Sequence, residues 1–287
     1  MRSLEFADHE EVSEGLDNIR ENGFPVGLST GYTNLDEYFT LAPSGTLNCV
    51  SGYPSSGKSE FIDNIACHMA LKHKWDIVIY SPESYPPDHH ALGLIEKITG
   101  RTAFNRGIHK AMPDKDFFKG EYVYKSRFSV ISAEDDAYTF EEILNGIDEM
   151  CNHKKVDMVI LDPFNELENG RPSGMSETDY IGLCLMKARR LARKRNISFW
   201  IVAHPAKPAK KSADGTYPVP DLYDLSGSAH WRNKIDYGLI VHRYTLEDTK
   251  VSVFVKKIKK RFYGKIGEVL FNFVPSCGRY APAKEEL

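Results

Sequence analysis

Between residues 52 and 59 the chain reads Gly52-Tyr53-Pro54-Ser55-Ser56-Gly57-Lys58-Ser59, which fits G-x-x-x-x-G-K-[ST] at every fixed position. Each fixed residue has a task in phosphate chemistry. Gly52 and Gly57 let backbone N–H groups approach phosphate oxygens, so the run, with Ser55, Ser56 and the following Glu60, reads as a nucleotide cradle. Lys58 supplies positive charge to β- and γ-phosphates, and the Ser59 hydroxyl can ligate Mg²⁺. Further positions could serve the same chemistry. Asp162 closes the apolar run VDMVILD and could hold Mg²⁺ through water, although Asp before Pro163 is also an ordinary turn residue. Glu83 follows the run WDIVIYS and could act as general base on an attacking water; a lone loop Glu would also be unremarkable. His204 ends the run ISFWIVAH and could sense a γ-phosphate or be structural. The basic run Lys256-Lys257-Ile258-Lys259-Lys260-Arg261 suits a solvated edge, a DNA contact or an arginine finger.

These groups act together only if strands deliver them to one rim. Residues 46–51 (TLNCVS) read as a short buried strand, and residues 60–72 carry apolar residues at helical spacing. Strand, glycine loop and helix in that order aim a helix N-terminus at a phosphate. Further strands are expected at 75–81, 128–132, 156–162 and 197–204, with helices at 139–153 and 177–195 between them. Strands at 237–243, 251–258 and 268–274 follow without long helices. The pattern predicts an α/β fold: a mainly parallel sheet with helices on both faces, finished by antiparallel strands. Residues 104–125 and 205–223 read as the long loops. Ahead of residue 26, Val12, Leu16 and Ile19 recur at helical spacing among acidic residues, until Asn22-Gly23 stops the helix. A helix this short is marginal alone, so its apolar stripe needs its own domain or a neighbouring subunit.

Composition narrows the class. The 287 residues can bury a core as one catalytic domain. No apolar run approaches the ~20 residues that span a bilayer, so no membrane partner is expected. The acidic start MRSLEFADHEE has no signal-peptide character. Cys49, Cys67, Cys151, Cys184 and Cys277 are widely spaced and read as reduced core thiols of a reducing compartment. The ten histidines lack zinc-binding spacing, and His89-His90 after two prolines fit a loop or helix start. Charge is uneven. Residues 187–261 hold 18 Lys and Arg against 6 Asp and Glu, a formal +12 that leaves −15 for the rest of a chain whose net charge is −3. One face therefore suits a polyanion, or the cations are solvated helix faces, above all in KARRLARKR at 187–195.

Taken together, the phosphate loop, Glu83, Asp162, His204 and the Lys259-x-Arg261 pair stand in the order of the DnaB-type hexameric replicative helicases, which this chain resembles. Within them it is most similar to the Twinkle group of organellar and phage primase–helicases. The resemblance is carried by GLSTGYTNLDEYF (27–39), SGYPSSGKSEFID, LDPFNELENGRP, ETDY, WIVAHP, DLYDLSGSAHWRNKIDYGLIVHR and KKRFYGKIG, which span most of residues 27–274. It implies a RecA-like fold, identical subunits in a ring, as a hexamer, and ATP seated between adjacent subunits. It implies that Lys58, Ser59, Glu83, Asp162 and His204 act in one subunit while Lys259 and Arg261 reach the neighbour's nucleotide. Arg243 and Phe273 lie where family members hold the adenine; Phe273 replaces a tyrosine of some relatives. Central-channel DNA loops would fall after His204, with Lys207, Lys210 and Lys211, and around Ser226-Gly227-Ser228. Lysines there can meet a phosphate backbone without base-specific geometry, and Gly227 and Ser228 can donate hydrogen bonds to phosphates; a lysine-rich loop can also be merely soluble.

The resemblance implies an ATP- and Mg²⁺-dependent helicase moving 5′ to 3′ on single-stranded DNA in replication, with a primase or polymerase as partner. It would work in the cytoplasm of a bacterial or phage-infected cell, or in an organellar matrix. Residues 1–25 correspond to the linker and 26–287 to the ATPase domain. The linker segment has neither a zinc-binding cysteine cluster nor a polymerase-type acidic cluster, so no priming activity is expected. A RecA/RadA-type strand-exchange ATPase and a non-motor ATPase switch are the alternatives.

Overall fold

The computed structural model describes residues 6–43, 45–132, 138–167, 170–206, 212–213, 215–225, 228–245 and 248–283. Helix α1 (His9–Asn22) and the short α2 (Thr33–Asp36) precede strand β1 (Thr46–Ser51), which enters the glycine loop and helix α3 (Lys58–His68). Strand β2 (Ile77–Tyr80), helices α4 (Pro87–Thr99) and α5 (Asp114–Arg127), strand β3 (Phe128–Ile131) and helix α6 (Phe140–His153) follow. Next come β4 (Met158–Leu161), α7 (Glu177–Arg195), β5 (Ser198–Ala203), α8 (Ser228–Lys234) and strands β6 (Tyr237–His242), β7 (Lys250–Ile258), β8 (Gly267–Val274) and β9 (Arg279–Pro282).

These strands form one sheet in the order β3-β2-β4-β5-β1-β6-β7-β8-β9. The pairs from β3 to β6 are parallel and those from β6 to β9 antiparallel. Both faces of the parallel part are covered, which is why its strands are almost wholly apolar. Alternate residues of β5 serve different cores: Trp200 and Val202 pack with Phe61, Ile65 and Phe271, whereas Phe199 and Ile201 pack with Phe140, Leu185 and Trp231. Each such fully buried side chain contributes ~1.5–3 kcal/mol before chain entropy is counted. All five cysteines are unpaired, and four are buried. No described helix is long and apolar enough to cross a membrane.

Five elements, α2, α4, α5, α8 and β9, lie outside the expected set, although His89-His90 do fall at the start of α4. Residues 104–125 are not one loop, because α5 starts after Pro113, with Asp114 and Asp116 in its first turn. Its charges hide the periodicity, and Gly120, a poor helix former, is its one buried residue, packed closely against Thr99 and Ile95 of α4. Helix α8 and strand β9 are short, seven and four residues, and leave little pattern to detect.

Register makes the functional rim. Ser51 of β1 pairs with Ala203 of β5, Leu161 of β4 with Ile201 of β5, and Tyr80 of β2 with Leu161. The residues that leave these strand ends, starting with Gly52, Ser81, Asp162 and His204, therefore emerge along one edge, beside the point where strand order reverses about β1.

Candidate functional site

The rim holds an open cleft of about 600 Å³ lined by Pro54 to Glu60, Glu83, Glu166, His204, Arg243, Val251, Phe273 and Tyr280. The phosphate loop builds its floor. Gly57 has φ +92°, a left-handed value that disfavours side chains, and a Cβ there would collide with the Tyr280 hydroxyl. That hydroxyl donates to the Gly57 carbonyl at 2.9 Å. A Cβ at Gly52 would strike the Val241 carbonyl, so only glycine lets the loop run this close to β6.

Lys58 is buried, and its ammonium donates to the Tyr53 carbonyl at 3.0 Å. Burial lowers its pKa to about 8, against the pull of Asp162 and Glu83. Asp162 is also buried, and desolvation pushes its carboxyl up to about 6 although the neighbouring Ser59 hydroxyl pulls it the other way. Asp63 and Glu83 add negative charge nearby, and Lys58 offsets part of it. A carboxylate raised by burial and like charges, beside the Ser59 hydroxyl, fits a divalent cation. Among the described residues no group of three or more His, Cys, Asp or Glu could hold a metal ion, so the remaining ligands would be phosphate and water oxygens.

His204 stands at the end of β5 with its backbone N–H donating to the Asn165 side chain at 3.2 Å. Burial and then the Lys58 charge lower its pKa to about 4, leaving a neutral imidazole. Its Nδ1 is buried without a hydrogen-bond partner among the described residues. Glu83 sits on a single turn, Pro82–Ser84, beyond β2. Phe273 and Arg243 line the same cleft; the Phe273 ring centroid lies 5.4 Å from Tyr280, and the Arg243 guanidinium donates to the Asp248 carbonyl. Glu60 lines the cleft and pairs with Lys97 at 2.8 Å.

The structure thus gathers Ser55, Ser56, Gly57, Lys58, Ser59, Glu60, Glu83, His204, Arg243 and Phe273 around one cleft, with Asp162 next to Ser59. It keeps Lys259 and Arg261 away from that cleft. Strand β7 runs against β6, and the Lys259 backbone N–H donates to the Asp236 carbonyl, ahead of Tyr237. That level is four residues, roughly 13 Å, below Ile240, the partner of Ser51. The Lys259 ammonium pairs with Asp236 at 3.1 Å, whereas the exposed Arg261 has no ion pair among the described residues. Lys207, Lys210, Lys211 and Gly227 lie outside the described residues, as does the Ser228 side chain; the Ser228 backbone begins α8.

Sequence reasoning missed Tyr280, Glu166, Pro54 and Val251 as cleft residues. Gly278 before Arg279-Tyr280, a turn signal after β8, was the available clue to a hairpin that returns Tyr280 to the loop. Missed too was a buried charge cluster behind the loop: Asp63 meets His90 at 3.1 Å and Lys97 at 3.8 Å.

Comparison with known proteins agrees with this geometry. A Twinkle homolog protein, chloroplastic/mitochondrial, from Arabidopsis thaliana is 32% identical over 272 residues, 91% of this chain and 37% of that protein. The chain thus spans little more than a third of that relative's length. Among solved structures, one described as an ATPase domain superposes with a TM-score of 0.80 at 17% identity, over 98% of this chain and 100% of that one. A DnaB-like replicative helicase, solved for its interactions with primase, gives 0.78 at 15% identity, over 96% of this chain and 68% of that one. Both likenesses establish a shared fold. The model of the DnaB-like helicase C-terminal domain matches residues 27–282, and the chain, with its phosphate loop, strand-end acids and histidine on one rim, belongs to that family.

Proposed function

We propose that this chain is the ATP-hydrolysing motor of a ring-forming replicative DNA helicase that moves 5′ to 3′ on single-stranded DNA. The observation that carries the reading is the convergence of Lys58, the Ser59–Asp162 pair, Glu83 and His204 on one cleft while Arg261 stands at the far end of the sheet. Residues 1–25 then serve as the linker and 26–287 as the motor domain.

Lys58 binds the β- and γ-phosphates, and the backbone N–H groups of the glycine loop cradle them. Ser59 and Asp162 would hold Mg²⁺, which when bound neutralises phosphate charge. Glu83 orients the attacking water and takes its proton as the oxygen bonds to the γ-phosphorus and the bond to the ADP leaving oxygen breaks. His204, neutral in this environment, faces the γ-phosphate as a hydrogen-bonding sensor of its presence. Arg243 and Phe273 contact the adenine. Lys259 and Arg261 act on the nucleotide of the adjacent subunit, where Arg261 stabilises the transition state. Lys207, Lys210, Lys211, Gly227 and Ser228 grip the DNA backbone, and hydrolysis moves these grips in turn around the ring.

The relatives' names support a primase partner and an organellar matrix as one setting, with the bacterial or phage-infected cytoplasm as the other. A polymerase is the other partner class. The deciding experiment measures ATP hydrolysis with and without single-stranded DNA, together with unwinding of a forked duplex. DNA-stimulated turnover with unwinding is expected. Hydrolysis indifferent to DNA, with no strand separation, would turn the assignment to a non-motor switch; filaments in place of rings on ATP and DNA would turn it to strand exchange.

A further inference from the structure

We propose that Tyr53, the first variable residue of the phosphate loop, is a positioning residue that couples nucleotide in that loop to the two segments read as DNA-binding, through its carbonyl on one side and its ring on the other. The inference rests on that DNA reading and deepens it.

The carbonyl side is direct. The Tyr53 oxygen accepts from the Lys58 ammonium at 3.0 Å and from the Ser56 N–H at 3.2 Å. These bonds, with Ser55 held at φ +61°, define the turn of the loop. A nucleotide's phosphates compete for the same ammonium. Lys58 is buried and poor in water, so it moves toward the stronger anionic partner, and the Tyr53 carbonyl loses one of its two donors.

The ring side faces the far root of the first DNA segment. The Tyr53 ring centroid lies 6.1 Å from that of Tyr217 and 6.4 Å from His242, within the range of attractive aromatic contacts. Tyr217 closes the segment that begins after His204 and holds Lys207, Lys210 and Lys211 in sequence; its N–H donates to the Tyr244 carbonyl at 3.0 Å. The other root of that segment is tied down at Ala206, whose N–H donates to the Asp224 carbonyl at 2.7 Å, next to the Pro205–Leu225 bridge. Asp224 also precedes the second segment, at Gly227-Ser228, and lies near enough to Tyr53 to add to the effect of burial in raising its hydroxyl pKa. One residue therefore holds the Lys58 ammonium and the far root of the first segment, whose near root is in turn tied to Asp224, just before the second segment. A displacement of its carbonyl moves its ring, because both belong to one short turn.

The test reads DNA affinity, not turnover. Binding of a fluorescent oligonucleotide is titrated at fixed salt without nucleotide and with a saturating non-hydrolysable ATP analogue, and the two dissociation constants give a coupling ratio. For the wild type the ratio should fall in the usual allosteric range of about 5–150-fold. Tyr53→Ala and Tyr217→Ala should each bring it close to one, Tyr53→Phe should retain it, and the double variant should lose no more than either single one. Tyr217→Ala should keep basal ATP hydrolysis. Circular dichroism checks folding; if Tyr53→Ala does not fold, Tyr53→Leu and Tyr217→Ala carry the same test. A wild-type ratio in folded Tyr53→Ala or Tyr217→Ala overturns the link alone, as do single losses that add in the double variant. Wild-type protein that binds no single strand in either state overturns the DNA reading and the link with it.

Discussion

If Arg261 serves the adjacent subunit's nucleotide as proposed, replacing it with alanine should leave ATP binding intact and cut hydrolysis, because the lost charge would belong to a different site from the subunit's own. Lys259 sits roughly 13 Å below the level of Ser51 along the strands, and Arg261 lies beyond it, so neither faces its own phosphate loop. An arginine supplied across a subunit boundary is worth about 10³–10⁵-fold in turnover, which sets the expected loss. Lys58→Ala has the complementary defect: a dead loop and an intact finger. In a random equal mixture an active interface needs its loop from an Arg261→Ala subunit and its finger from a Lys58→Ala subunit, so about a quarter of the head-to-tail interfaces are restored. Two proteins inactive alone should therefore recover up to about a quarter of wild-type hydrolysis when co-assembled. The assay is phosphate release across mixing ratios, with co-assembly checked by native mass spectrometry. Near-normal hydrolysis by Arg261→Ala alone would make Arg261 one more surface cation. No recovery despite co-assembly would refute the trans geometry.

Glu83→Gln keeps size and some hydrogen bonding but cannot take a proton, so ATP binding should persist while turnover falls about 10²–10⁴-fold; loss of nucleotide affinity instead would mark Glu83 as structural or a metal ligand. A Lys207, Lys210 and Lys211 triple alanine variant should keep basal hydrolysis and lose DNA stimulation, and wild-type DNA affinity should drop steeply with salt. Binding indifferent to both changes would move the DNA path elsewhere. The Asp63–His90–Lys97 cluster predicts pH-dependent stability. Burial opposes all three charges, but the attraction of Asp63 for the two cations outweighs it and the repulsion between them, so His90 is held above its usual pKa and Asp63 below its own. The raised His90 stabilises fully below its unfolded pKa of about 6.5 and loses this as pH rises through the folded value; Asp63 stabilises above its unfolded value and loses this as pH falls. His90→Ala should thus cost about 3 kcal/mol at mildly acidic pH, near the low end for a broken buried pair because Lys97 still faces Asp63, and less at alkaline pH. Calorimetric melting of both proteins between mildly acidic and alkaline pH checks this; a difference that does not shrink with rising pH would remove the argument.

The phosphate loop was legible because its chemistry is local. Eight consecutive residues hold the glycines, Lys58 and Ser59, and the flanking strand and helix announce themselves by their own apolar patterns. Glu83, Asp162 and His204 were legible one at a time, as polar residues at the ends of buried runs. The parallel core with an antiparallel finish could likewise be read from the spacing of strands and helices. Helix α5 could not, since it buries little and its charges break the periodicity. Tyr280 entered the cleft only because β9 folds back along β8 and returns its hydroxyl to Gly57. Tertiary structure alone decided that Ser51, Tyr80, Leu161 and Ala203 end on one rim, and that β7 carries Lys259 and Arg261 to the opposite end. The physical reason is that periodicity and turn chemistry act between neighbours in the chain, whereas strand order and register are chosen by burying both faces of the whole sheet at once.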